Sequence, residues 1–316
     1  MYKRILSYVL RTPWAVEPEM LAELAAILAP RVAGVRLSDE EIAQRVHAAQ
    51  ARAAARGAGA RVGVVAVMPI IGLLLSRAGA LEQVSGAMSV QDLALRFKAL
   101  VADDAVGAIV LDIDSPGGEV GGIAEFADQI FEGRARKPIV AVANPLMASA
   151  AYWIGASASA LLASPSALVG SIGVYAAHED VSKALEAAGI AVTLVAAGKD
   201  KTLGNPFEPL SPDGRAYIQD RVNEFYDLFV RAVARGRGTS QKTVREGMGQ
   251  GRVVTAAEAV TLGMADSVGT LDDAIALAGR RAQRSAERAE TDPVGVQTSV
   301  AGELDRRRRR LRLAGA

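Results

Sequence analysis

Three short segments hold residue types and spacings suited to acyl-transfer chemistry. The first is Asp114-Ser115-Pro116-Gly117-Gly118, which follows an apolar run and precedes an amphipathic one. A Pro-Gly-Gly turn at the carboxyl end of a strand brings bare backbone close to a ligand and turns N–H groups toward a developing anion, as an oxyanion hole requires. Taken alone, it is also an ordinary tight turn. The second is Ala148-Ser149-Ala150-Ala151-Tyr152-Trp153, at the start of an alanine-rich helix. Main-chain N–H groups at a helix start favour negative charge, so they would stabilise a tetrahedral intermediate on Ser149, although a lone serine there more commonly caps the helix. The third runs from Gly198 through Lys199 and Lys201 to Asn205-Pro206-Phe207. A lysine serves as general base only when desolvation or a nearby cation favours its neutral form, so a catalytic lysine in this loop must be buried beside the serine.

These segments need a scaffold, and the periodicity supplies one. From Arg61 onward, compact apolar runs at 62–67, 108–113, 139–143, 160–163 and 191–195 alternate with amphipathic helices at about 90–101, 123–131, 180–188 and 212–235. That alternation predicts an α/β fold with mainly parallel sheet layers covered by helices. Ser211 with Pro212, and Thr255 with Glu258, are helix-opening signatures. Residues 1–60 read as an alanine-rich helical appendage, with apolar spacing from Met20 to Leu28 and a capping box at Ser38 and Glu41. Residues 61–279 form the catalytic-type domain, and residues 280–316 an arginine-rich, flexible or partly helical tail.

Composition narrows the chemistry further. The 316 residues include no cysteine and two histidines, His47 and His178, which excludes thiolate sites and leaves too few ligands for a histidine zinc centre. No metal or cofactor is expected. The longest apolar run, Val62 to Leu75, is broken by Pro69 and Gly72 and is too short for a membrane span, so no membrane association and a cytoplasmic location are expected. Net charge is +1, yet residues 280–316 hold ten arginines against five acidic residues, including the run Arg306 to Arg310. Such a run is more often a solvated face than a nucleic-acid site.

In their order the motifs resemble the signal peptide peptidase A family, serine peptidases of family S49. The likeness is greatest to its phage branch, the head maturation peptidases related to minor capsid protein C. The matching segments are Ser115 to Gly118, Ala148 to Tyr152, Gly170 to Val174 (read as a strand) and Gly198 to Lys201. Asn205-Pro206-Phe207, Arg235-Gly236-Arg237-Gly238 and the Ala-Ala-Tyr-Trp wording after the serine suit the phage branch. The resemblance implies a crotonase/Clp peptidase-like fold and a serine endopeptidase with a Ser-Lys dyad. Ser149 would be the nucleophile and Lys201 the base. Gly118 and Ala150 would supply the oxyanion hole, with Ser171 and Gly117 in support. It further implies a homo-oligomer whose subunits complete each other's sites, acting on phage capsid assembly proteins such as scaffold or portal, in the host cytoplasm or with the procapsid.

Lys199 lies two residues from Lys201. His178 would serve in a Ser-His-Asp triad, as in Clp-type peptidases. A crotonase-type acyl-CoA enzyme, or an inactive capsid component, would use the same fold without a nucleophilic serine.

Overall fold

The apolar runs at 65–71, 108–115 and 139–148 lie side by side as parallel strands, as near-continuous Val/Ile/Ala runs do when both faces are covered. The computed structural model describes residues 13–16, 61–77 and 87–291. In chain order these form β1 (Trp14–Val16), β2 (Arg61–Val62), β3 (Val65–Ile71), β4 (Leu74–Leu75), β5 (Met88–Ser89), α1 (Val90–Ala102), β6 (Ala108–Ser115), β7 (Gly117–Glu119), α2 (Ile123–Gly133) and β8 (Ile139–Ala148). Then come α3 (Ala150–Gly155), β9 (Ala160–Ala163), β10 (Leu168–Gly170), α4 (Ser182–Ala187), α5 (Pro212–Arg237), α6 (Gln241–Gly247), β11 (Val253–Thr255), α7 (Ala256–Thr261), β12 (Ser267–Val268) and α8 (Leu271–Thr291).

The larger sheet runs β11-β10-β8-β6-β3-β2, with β9 and β12 attached beside β8. β8 is long enough to pair with two strands in succession: its first half holds β9 and its last three residues hold β10. A smaller sheet, β1-β7-β4-β5, stands at the carboxyl ends of β3 and β6. The architecture is therefore α/β with mainly parallel layers covered by helices, as the alternation of elements predicts.

Period-two alternation divides the core. Met68, Ile70, Ile109, Leu111, Ile113, Ala141 and Ala143 face one side, under α1, α2, α3 and α5. Val65, Val67, Ala108, Val110, Val140 and Val142 face the other, where Ala274, Ala278 and Ala282 of α8 lie against them. The three alanines recur every four residues, so α8 presents a flat small-residue stripe to the sheet. Because Ala282 continues that stripe, the helix passes the expected domain limit at residue 279 and ends at Thr291.

Other expectations need correction. Trp14–Val16 is a strand inside the segment expected to be a helical appendage: Pro13 breaks helical continuity, and the aromatic and β-branched residues suit an edge of β7. The expected helices at 20–28 and after Ser38, and the tail beyond Thr291, lie outside the described residues. Residues 191–195 form no strand, because no strand among the described residues pairs with them, and Ile190, Val192, Leu194 and Val195 are all exposed. The strand expected to run from Gly170 to Val174 ends at Gly170, since Ser171 takes a left-handed φ of 53° that pleated pairing does not accommodate.

The Arg235-Gly236-Arg237-Gly238 segment is a structural clasp. A Cβ on Gly236 would stand 2.0 Å from the Ala156 carbonyl oxygen, so α5 crosses the end of α3 only with glycine there. Gly238 ends α5 in the left-handed conformation at φ 63°. The Arg237 guanidinium donates to Asp266 at 2.6 Å and to the Gly263 carbonyl at 3.0 Å, while Leu161 N donates to the other Asp266 oxygen at 2.7 Å. Burial pushes the Asp266 carboxyl up, but the bonds from Arg237 and Leu161 outweigh it and hold the group below the ordinary carboxylate value. A depressed folded-state value stabilises the fold above the unfolded value of about 3.9, an effect lost as pH falls through the folded value. Asp266→Asn is thus expected to lower stability at pH 7 by about 1 kcal/mol, discounted because the carboxylate is half-exposed. Urea midpoints of the two chains should converge as pH falls below about 4.

Candidate active site

Ser115, at the end of β6, sets the glycine turn. Its hydroxyl donates to the Gly72 carbonyl at 2.6 Å and accepts from Gly117 N at 3.2 Å, so one buried side chain ties the turn to the loop after β3. In the sequence Ser115 stands only as the first residue of the Ser-Pro-Gly-Gly motif. Its signal was its place as the last polar residue before the glycines, where a hydroxyl can bond its own backbone two residues on.

The two glycines are required for different reasons. Gly117 has a left-handed φ of 98°, and a Cβ there would lie 2.2 Å from the Ala15 carbonyl oxygen and 2.9 Å from Ala150 N. Gly118 sits in β7 between Ala15 and Leu74, and a Cβ there would lie 1.8 Å from the Leu74 carbonyl oxygen. The turn thereby comes against the start of α3 directly after Ser149. Gly117, Gly118, Ser149 and Ala150, more than thirty positions apart in sequence, converge on one place.

Ser149 joins β8 to α3 with φ 55° and ψ −119°, a strained backbone for a residue with a Cβ. Its hydroxyl does not cap the helix. Instead, its N–H donates to Gly170 O at 2.7 Å, and Oγ lies 3.5 Å from Gly173 O, a long donation. Gly170, with φ 126°, and Ser171 make the bend that brings Gly173 back to the serine, and Ser171 N is fixed by Arg252 O at 2.9 Å. Ser149 is 1% exposed and Ser171 6%. The residues after the serine are a packed support: Tyr152 donates to Met264 O at 3.0 Å, and Trp153 stacks on Phe229 with centroids 4.7 Å apart and rings 8° from parallel. Burial raises the Tyr152 phenol well above its ordinary value, so Tyr152 is a neutral donor.

The lysine loop is placed differently. Lys199 and Lys201 are exposed in a turn where Lys201 N donates to Gly198 O at 3.2 Å. The single chain therefore does not supply the desolvated Ser149–Lys201 contact that the sequence reading requires. The loop is braced by Asn205, which donates to Thr202 O and Glu208 and accepts from Phe207 N at 2.9 Å. His178 Nε2 lies 2.9 Å from Asn205 O, so the histidine braces this same arm. One buried group escaped the sequence reading: Glu119, at the end of β7, accepts from Ser76 N at 2.8 Å through Oε2, while Oε1 has no partner among the described residues.

Residues 132–284 match the family model "Peptidase family S49". The chain is 36% identical to capsid assembly protease C of Escherichia phage lambda over 67% of this chain and 48% of that protein. It is 31% identical to head-tail preconnector protein GP5 of Enterobacteria phage P21, over 77% of this chain and 48% of that one. Protease 4 of Salmonella typhi is 32% identical over 57% of this chain and 29% of its own length. The chain thus spans about half the length of the phage relatives. A solved mutant of the 1510-N membrane-bound stomatin-specific protease, 15% identical, aligns over 68% of this chain and 84% of that one with a TM-score of 0.43. Among the described residues, no helix is long and apolar enough to cross a membrane.

Proposed function

The chain carries a peptidase family S49 domain, and on that premise we propose that it is a serine endopeptidase with Ser149 as nucleophile and Lys201 as general base. The carrying observation is the meeting of a strained serine at a helix start with a glycine turn whose backbone lies against Ala150 N. In the reaction, Ser149 Oγ attacks the peptide carbonyl and passes its proton to the neutral Lys201 amine. The C–N bond then breaks, the leaving amine takes that proton, and water repeats the sequence on the acyl-enzyme. Gly118 N and Ala150 N donate to the oxyanion.

Lys201 reaches a serine in a neighbouring copy. The support is the arm around it: Ile190, Val192, Leu194 and Val195 are exposed apolar residues on the segment leading to the lysine, a surface that calls for cover. A homo-oligomer that covers this arm would also desolvate the ammonium, the condition a lysine base requires. The relatives named for capsid assembly and the head-tail preconnector suggest substrates among capsid assembly proteins such as scaffold or portal, met in the host cytoplasm or procapsid.

A serine-reactive phosphonate is expected to add to Ser149 alone, read as a mass shift on the peptide that contains it. Absence of label there in an assembled, folded preparation would instead favour a scaffold role or thioester chemistry on the same fold.

A further inference from the structure

Two walls enclose Ser149. One is β7, and the other is the segment from Gly173, whose carbonyl faces the serine hydroxyl, to Tyr175. β1 lies between them and bonds to both. Trp14 N donates to Tyr175 O at 2.8 Å and Tyr175 N to Trp14 O at 3.0 Å, while on the opposite edge Trp14, Ala15 and Val16 are in antiparallel register with Glu119, Gly118 and Gly117. Because Trp14 directs its polar groups to Tyr175, antiparallel alternation directs those of Ala15 to Gly118. The Ala15 carbonyl oxygen lies 2.2 Å, and Ala150 N 2.9 Å, from the same point beside Gly117. That carbonyl thus stands at the main-chain groups assigned above to the oxyanion. Trp14 and Ala15 are wholly buried.

An extended peptide that adds a strand to exposed sheet edges makes the same two-sided pattern of main-chain bonds. We propose that residues 14–16 are an intramolecular stand-in for substrate: β1 occupies the cleft, presents the Ala15 carbonyl where a scissile carbonyl would lie, and must leave before a protein substrate can enter. The inference rests on Ser149 being the nucleophile. It identifies the substrate's docking form as an extended chain, with a small residue at the position of Ala15 and a large apolar one before it. Activity is then set by the fraction of chains in which β1 is out.

The test uses the full-length chain and two variants, Trp14→Ala and Ala15→Asp, each checked to be folded by a retained, single cooperative unfolding transition. Phosphonate labelling of Ser149 should be about ten-fold faster in the variants, since the apparent rate follows the open fraction. A synthetic heptapeptide of residues 12–18 should return it toward the full-length rate. Folded variants that label at the full-length rate would overturn the proposal. So would cleavage of the unmodified chain between Ala15 and Val16, which would make the segment a substrate rather than a plug. Hydrogen exchange at Gly118 and Tyr175, whose N–H groups face β1, measured in a Ser149→Ala background, reads strand displacement without the nucleophile. Exchange that quickens with Trp14→Ala and slows again with the heptapeptide, while Ser149 labels in no chain, would keep the docked strand and remove only the nucleophile assignment.

Discussion

Ser149→Ala and Lys201→Ala chains are each expected to lose at least about 10⁴-fold in proteolytic rate, because nucleophile and base act as a unit and neither works without the other. Mixed in equal amounts and allowed to reassemble, the two inactive chains should regain activity. In a closed ring of shared sites, half the serines and half the lysines are intact, so about a quarter of the sites hold both. The physical basis is the placement of the two residues: Ser149 is closed within the chain, while Lys201 stands on an exposed arm whose apolar residues lack cover. Peptide release from a capsid-protein digest, followed by mass spectrometry, measures the recovery. No recovery on mixing would assign the base to the same chain as its serine. A Lys201→Ala chain that cleaves normally, beside a His178→Ala chain that does not, would transfer the role of base to the histidine.

The second large effect is expected at Gly118. In Gly118→Ala the new methyl would fall 1.8 Å from the Leu74 carbonyl oxygen and 2.5 Å from its carbon, both main-chain atoms of a paired strand. No rotamer relieves that contact, so β4 and β7 must separate and the turn must leave the start of α3. A loss of about 3 kcal/mol is expected, at the upper end for overpacking, together with loss of proteolysis as Gly118 N is displaced. Gly247→Ala is the natural contrast. Its Cβ would meet nothing closer than the Thr243 methyl at 3.8 Å, and the substitution in a helix should be neutral or stabilising by up to about 1 kcal/mol. Urea unfolding of both chains distinguishes a steric requirement at Gly118 from a general intolerance of glycine replacement.

Much of the scaffold was legible because it follows from local pattern. The runs at 108–113, 139–143 and 160–163 are compact and apolar, and each becomes a strand whose successive apolar residues lie on opposite faces of the sheet. Ser211 and Thr255 accept from the main chain three residues on, as their sequences predict. The run at 191–195 is likewise apolar and forms no strand, because pairing needs an edge and none of the described strands offers it one. Trp14–Val16 shows the converse: three residues in an alanine-rich context, too few to register as a strand, are held by edges from β7 and Tyr175.

By itself the sequence determined which residue types were available for chemistry. It has a serine at a helix start, a glycine pair after a strand and a lysine loop, with no cysteine and two histidines to support other mechanisms. Only the tertiary structure decided that Ser149 has a positive φ and does not cap its helix, that Gly117 and Gly118 are required by oxygens of Ala15 and Leu74, and that Lys201 is exposed. Local spacing reports which conformations a segment tolerates. Contacts between backbones tens of residues apart, and the exposure of the arm that carries Lys201, arise only when those segments meet in space.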